Sequence, residues 1–153
     1  MKTVLAATSA LLVLACAQAA AQATYGNFGL SADRGADNLA LTGRVGRDLQ
    51  GPWSVEGEAA YFFGADAATL AGFGRASFAV APTVSVHGRL GYGVVTDLSE
   101  AEDFFAYGPG VSFLVSERSR LRADYTVYDA GRGAGVDDGV LSLTYVFGLG
   151  GGR

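Results

Sequence analysis

Cysteine, methionine and histidine each occur once in the 153 residues, and proline three times. The lone thiol, Cys16, rules out an intramolecular disulfide, and a single histidine, His87, leaves no zinc-type ligand spacing to draw. No calcium-loop pattern occurs either, so neither a metal nor another cofactor is expected. After residue 23 no stretch approaches the roughly 18 to 20 consecutive apolar residues that a membrane helix requires. Basic charge is scarce: 11 Lys and Arg against 15 Asp and Glu leave a net charge of −4 with no basic stripe, which argues against nucleic-acid binding.

What is abundant is glycine, 23 residues, scattered through segments that are otherwise apolar. Glycine penalises helix interiors, so high apolar content without helix propensity and without a spanning run points to strands.

The N-terminus reads as a secretory signal peptide, residues 1–23. Lys2 precedes a nearly unbroken apolar stretch from Val4 to Ala17, and Ala21 and Ala23 stand three and one residues before a cut after Ala23. Ala19 and Ala21 are alternative cleavage sites. Acylation of Cys16 is a rival reading, disfavoured by the bulk of Leu14 where a small residue is usual. Cleavage would leave one domain, residues 24–153, without cysteine or methionine.

Across that domain apolar residues recur at every second position, the period of a strand. From Trp53 to Phe63, one face carries Trp53, Val55, Gly57, Ala59, Tyr61 and Phe63, and the other Ser54, Glu56, Glu58, Ala60 and Phe62. The same alternation sets Val84, Val86, Leu90, Tyr92 and Val94 against Ser85, His87 and Arg89. Near the end it sets Leu121, Ala123, Tyr125 and Val127 against Arg122, Asp124 and Thr126. Eight such segments are expected, 24–32, 38–47, 53–63, 69–80, 83–95, 104–115, 120–128 and 139–147, most with the roughly 9 to 11 residues of a tilted transmembrane strand. The connections alternate between tight (Asp48–Pro52, Ala81–Pro82, Ser116–Ser119) and mostly longer, acidic ones (Gly64–Ala68, Thr96–Asp103, Asp129–Asp138); Asp33–Asp37 is short but acidic. The expected fold is all-β, an eight-stranded antiparallel up-and-down transmembrane β-barrel.

Two stretches carry a resemblance: His87-Gly88-Arg89-Leu90-Gly91-Tyr92-Gly93, and Tyr107-Gly108-Pro109-Gly110-Val111-Ser112-Phe113 followed by Leu121 to Asp129. They resemble strands of the small porin-family barrels, the OmpA-like and OmpX-like proteins. The resemblance implies a Gram-negative outer membrane, surrounding lipid and lipopolysaccharide, and the barrel-assembly machinery as a partner during biogenesis. Those barrels end in a terminal aromatic; Leu143 to Phe147 is similar, but Gly148 to Arg153 trail beyond it.

Charge decides which face looks inward. Arg44, Glu56, Glu58, Arg75, Arg89, Arg122 and Asp124 all fall on the polar sides of their strands, and an Arg facing lipid at the bilayer midplane costs about 2 to 4 kcal/mol. They are expected to form a charge network in the lumen, which eight strands leave just wide enough for side chains to fill. Folding about Gln50, about Asp66 and Ala67, and about Pro82 places Arg44 opposite Glu56, Glu58 opposite Arg75, and Arg75 opposite Arg89. Outward aromatics form two belts: Trp53, Phe78, Phe113 and Phe147 towards one end, Phe63, Tyr92, Phe105 and Tyr107 towards the other. A soluble lipocalin-like barrel is the rival fold and needs the opposite facing.

No catalytic constellation emerges. Ser85 and His87 share a face near a tight turn, but that face looks into the lumen and the order Ser-x-His reverses the His-x-Ser of barrel deacylases. The glycines of Gly131-Arg132-Gly133-Ala134-Gly135 lack a strand-to-helix context and read as loop. The expected function is therefore structural or surface-interacting, with a low-conductance pore and a lipid-processing enzyme as alternatives. Asp33, Asp37, Asp66, Asp97, Glu100, Glu102, Asp103, Asp129, Asp137 and Asp138 are expected at the outer rim against Arg34 and Arg132. The plainer expectation is that they keep the loops solvated, and the sharper one is weak Mg²⁺ or Ca²⁺ association centred on Asp97, Glu100, Glu102 and Asp103.

Overall fold

The computed structural model describes residues 24–33, 38–96, 101–130 and 139–150, and among these it contains strands and turns but no helix. The expected signal peptide and Cys16 lie outside the described residues, as do Arg34, Asp37, Asp97, Glu100 and Gly131 to Asp138. The strands are β1 (Thr24–Asp33), β2 (Leu39–Asp48), β3 (Trp53–Phe62), β4 (Ala67–Ala81), β5 (Val84–Thr96), β6 (Ala101–Ser116), β7 (Ser119–Ala130) and β8 (Val140–Gly150). Each pairs antiparallel with its sequence neighbours, and β1 pairs with β8, so the sheet closes into an eight-stranded up-and-down barrel. Closure removes the unpaired edges that an open sheet would expose.

One end of the barrel, the turn end, holds the three tight connections and the outer ends of β1 and β8. The other, the loop end, holds the four remaining connections. Two strands outrun their expected limits by three residues at one end. β8 continues through Gly148 to Gly150, where Gly148 pairs with Tyr25 and Gly150 with Thr24, so these glycines belong to the wall and do not trail free of it. β6 begins at Ala101, and Glu102 and Asp103, expected in a loop, pair with Val95 and Val94.

Alternation works as the facing argument requires. Outside, large apolar side chains stand in the open: Leu90 is 63% exposed and Phe63 61%. Inside, Arg44, Glu56, Glu58, Arg89, Arg122 and Asp124 are buried. This polarity is the reverse of what the soluble, lipocalin-like alternative needs.

The lumen has two layers. Towards the loop end lies an apolar plug in which Phe62, Phe73, Phe104 and Tyr128 pack among Ala40, Ala60, Ala71 and Ala106. Small and large side chains alternate there as a narrow barrel requires. Phe104 and Tyr128 meet edge to face with centroids 5.1 Å apart. Beneath the plug, towards the turn end, lies the charged layer. At the closing seam, Ser31 shares hydrogen bonds with Thr42 at 2.6 Å and with Ser142 at 2.7 Å, tying β1 to both its neighbours from within.

Two of the three expected cross-strand pairs are corrected. Arg44 pairs with Glu58, not Glu56, because the β2–β3 turn centres on Gly51 (φ 72°) rather than Gln50. Glycine takes a left-handed conformation without steric cost, and moving the fold point by one residue shifts each partner by two. Glu58 pairs with Ala71 and Arg75 with Ser54, because β3 and β4 join through a tighter turn, Phe62 pairing with Ala67, with Asp66 left-handed at φ 49°. Arg75 does pair with Arg89 about Pro82.

Candidate functional site

The charged layer is built from four strands that bring guanidiniums and carboxylates to one level of the lumen. Arg44 Nε on β2 donates to Glu58 Oε2 on β3 at 2.5 Å, and its Nη1 reaches across to Asp124 Oδ2 on β7 at 2.6 Å. Arg122, also on β7, donates through Nη1 and Nη2 to the two oxygens of Glu56 at 2.5 and 3.1 Å, and through Nε to Asp124 Oδ1 at 3.0 Å. Two guanidiniums thus span the lumen from opposite walls. Arg89, from β5, donates to Glu58 Oε2 at 2.6 Å and lies 3.7 Å from the centroid of the Phe73 ring.

Arg75 differs from the others. Its Nε donates to Ser54 at 2.8 Å and lies 3.3 Å from Glu56, while Nη2 is 3.5 Å from Asp48, a carboxylate at the turn-end mouth. It therefore supports Glu56 from below instead of joining Arg89 at Glu58 as the expected register implied. Glu58 still lies beside two guanidiniums, those of Arg44 and Arg89.

Three further partners complete the layer: Tyr25 donates to Glu56 at 2.6 Å, Tyr128 donates to Glu58 at 3.0 Å, and His87 Nε2 lies 2.7 Å from Asp124 Oδ1. Tyr25 and Tyr128 escaped the sequence reading. The available signal was parity, since Tyr128 alternates in step with Arg122, Asp124 and Thr126, and Tyr25 with Asn27. Carboxylates that accept this many charge-assisted bonds have their lone pairs occupied, which is how buried charge becomes tolerable.

Glycine opens the space for these contacts. Gly110 lies on β6 directly between His87 and Asp124, and Gly46 on β2 between Tyr25 and Glu56, so each pair meets across an intervening strand. A Cβ at Gly110 would stand 2.3 Å from His87 Nε2 and 2.6 Å from Asp124 Oδ1. Gly110→Ala is expected to cost about 1 to 3 kcal/mol of stability through overpacking. Gly88→Ala, where a Cβ would meet nothing within 4 Å, is the control and should unfold like the parent in urea.

The outward aromatics divide as follows. Trp53, Phe78, Phe113 and Phe147 lie near the turn end, and Phe63, Tyr92 and Phe105 near the loop end, where Tyr92 and Phe105 pack edge to face at 5.1 Å. Tyr107, expected in the loop-end belt, lies half-way along its strand, paired with Leu90 and Val127. Tyr61 enlarges the loop-end belt, 5.4 Å from Phe63, while Phe28, half-way along β1, packs 6.1 Å from Phe147.

At the loop end, Asp66 and Asp103 accept hydrogen bonds from the outward phenols of Tyr61 and Tyr92. Asp33 is buried and accepts from Asn38 Nδ2 at 2.7 Å, so it secures its loop and does not join an exposed rim. Asp129 is exposed. Among the described residues no group of three or more His, Cys, Asp or Glu is placed to hold a metal. His87 Nε2 is engaged by Asp124, and Ser85 is half-buried on the same inner face.

No protein-family model matches the sequence, and no curated protein matches it. Solved structures do match. The N-terminal β-barrel domain of Pseudomonas aeruginosa OprF superposes with a TM-score of 0.65 at 10% identity, covering 84% of this chain and 98% of that one. The fold is that of the eight-stranded outer-membrane barrels. A de novo designed transmembrane β-barrel shares it at TM-score 0.67 and 12% identity, over 84% of this chain and 96% of the design. So does the outer-membrane enzyme PagL, at TM-score 0.51 and 16% identity, over 82% of this chain and 98% of that one. An outer-membrane barrel fold that carries an enzyme in one case and a design in another is a scaffold, and what each member does rests on its own residues.

Proposed function

We propose that this chain is an outer-membrane β-barrel protein of a Gram-negative bacterium that acts as a structural or surface-interacting element, with its lumen closed by its own side chains and no catalytic residues. The observation that carries the reading is the inverted polarity of the wall. Apolar side chains cover the outside, while Arg122 and Asp124 in the lumen have no accessible surface at all. A bilayer stabilises such an outside and water does not. With the tight turns towards the periplasm, as threading from that side requires, the loop end faces the cell exterior among lipid and lipopolysaccharide.

The charged layer and the apolar plug lie in series, so a hydrated ion entering at either end meets a closed barrier. This favours the structural reading over a pore. The lipid-processing alternative would need a reactive group at the lipid-facing surface near the outer leaflet, whereas His87 points into the lumen and is bonded to Asp124.

Cell fractionation with and without boiling before electrophoresis tests the address, and planar-bilayer recording tests closure. Recovery with the outer membrane, a mobility shift on boiling and no discrete current steps are expected. Recovery of the processed protein in the soluble periplasm would refute the membrane assignment, and reproducible unit steps would refute closure.

A further inference from the structure

Below the charged layer the lumen widens into a cavity of about 560 Å³ that opens at the turn end. Its lining includes Tyr25, Arg75, Arg118 and Arg120 together with Asp48 and Glu117. The guanidiniums come from separate elements: Arg75 from β4, Arg120 from β7 and Arg118 from the turn between β6 and β7. Their accessibility is graded along the cavity. Arg118 and Arg120 are exposed, whereas the Arg75 side chain is 11% exposed and anchored through Nε to Ser54.

Because these three arginines line one concave, solvent-connected space, we propose that the turn-end vestibule binds a small anion bearing a phosphate or carboxylate group, with Arg75 as its deepest contact. Guanidinium matches such oxyanions with paired N–H donors, and a recessed cavity with a few convergent polar groups is the usual form of a small-ligand site. The present partner of Arg75 on the cavity side is weak. Asp48 lies 3.5 Å from Nη2 and its side chain is 55% exposed, so an incoming oxyanion competes with a solvated carboxylate at little cost. Asp48 then acts as an internal competitor for the site. A cation of the same size would encounter the guanidinium of Arg75 and is disfavoured. This inference goes beyond the structural role proposed above and does not depend on the membrane assignment, because the vestibule is a property of the folded barrel.

The test uses the folded protein in a zwitterionic detergent, titrated with inorganic phosphate while the Arg75 Nε–H resonance is followed by NMR. Saturable perturbation is expected, with the dissociation constant raised at least fivefold in Arg118→Gln/Arg120→Gln and lowered at least twofold in Asp48→Asn. Neither variant replaces a residue of the charged layer above. Absence of a saturable shift overturns the proposal, and so does a shift that is the same in the parent and both variants, which would mark non-specific ionic strength. A parallel measurement in nanodiscs with and without phosphatidylglycerol, free of phosphate, separates the sources: perturbation only with the anionic lipid assigns the site to a headgroup, and silence there with response to phosphate assigns it to a free solute.

Discussion

Glu58→Ala is expected to lower the unfolding free energy by about 3 to 5 kcal/mol, the cost typical of removing one member of a buried ion-pair network. Glu58 is 2% exposed and accepts bonds from Arg44, Arg89 and Tyr128. When it is removed, Arg44 retains Asp124, but Arg89 loses the one carboxylate bridged to it among the described residues and is left over the Phe73 ring. A cation on an aromatic face recovers about 0.5 to 2 kcal/mol, short of the loss. Glu58→Gln, which keeps an acceptor of the same shape, should lose less. Urea unfolding in lipid vesicles measures both, and a Glu58→Ala midpoint equal to that of the parent would show that the layer is not a buried network.

The second large effect is expected at Arg122, which joins β7 to β3 through both oxygens of Glu56 and also contacts Asp124 on its own strand. Arg122→Ala leaves two buried carboxylates short of their shared cation and should cost at least as much as Glu58→Ala, again about 3 to 5 kcal/mol. Arg122→Lys keeps the charge but cannot make the forked contact to Glu56, so it should recover only part of the loss. The substitution also separates the two luminal layers. Phe62, Phe73 and Phe104 remain packed above the opened space, so the variant should stay electrically silent in planar bilayers although it is less stable. Ion steps from Arg122→Ala would locate the seal in the charged layer instead of the apolar plug.

These expectations differ from what the sequence suggests in one instructive respect. The facing of all seven charged residues was legible from strict alternation, because in a strand inward and outward positions differ only by parity. Their pairing was not. A hairpin's register depends on where its turn centres, and that was set by which residue adopts a left-handed backbone, Gly51 in one turn and Asp66 in another. Arg75 was thereby moved by four residues, from a position opposite Glu58 to one opposite Ser54 and beside Glu56. Contacts across the lumen, Arg44 to Asp124 and Arg122 to Glu56, lie further still from the sequence, since they join strands that are not neighbours in the sheet.

The sequence by itself determined the strand count, the barrel class and the sorting of side chains between lumen and surroundings, because each follows from a two-residue period repeated between turn signals. Only the tertiary structure decided the partners within the lumen, the division into a charged layer and an apolar plug, and the vestibule beneath them. Those features depend on how turns set the register and how closure brings opposite walls within reach of one another. Parity survives a shift of two residues, and a hydrogen bond does not.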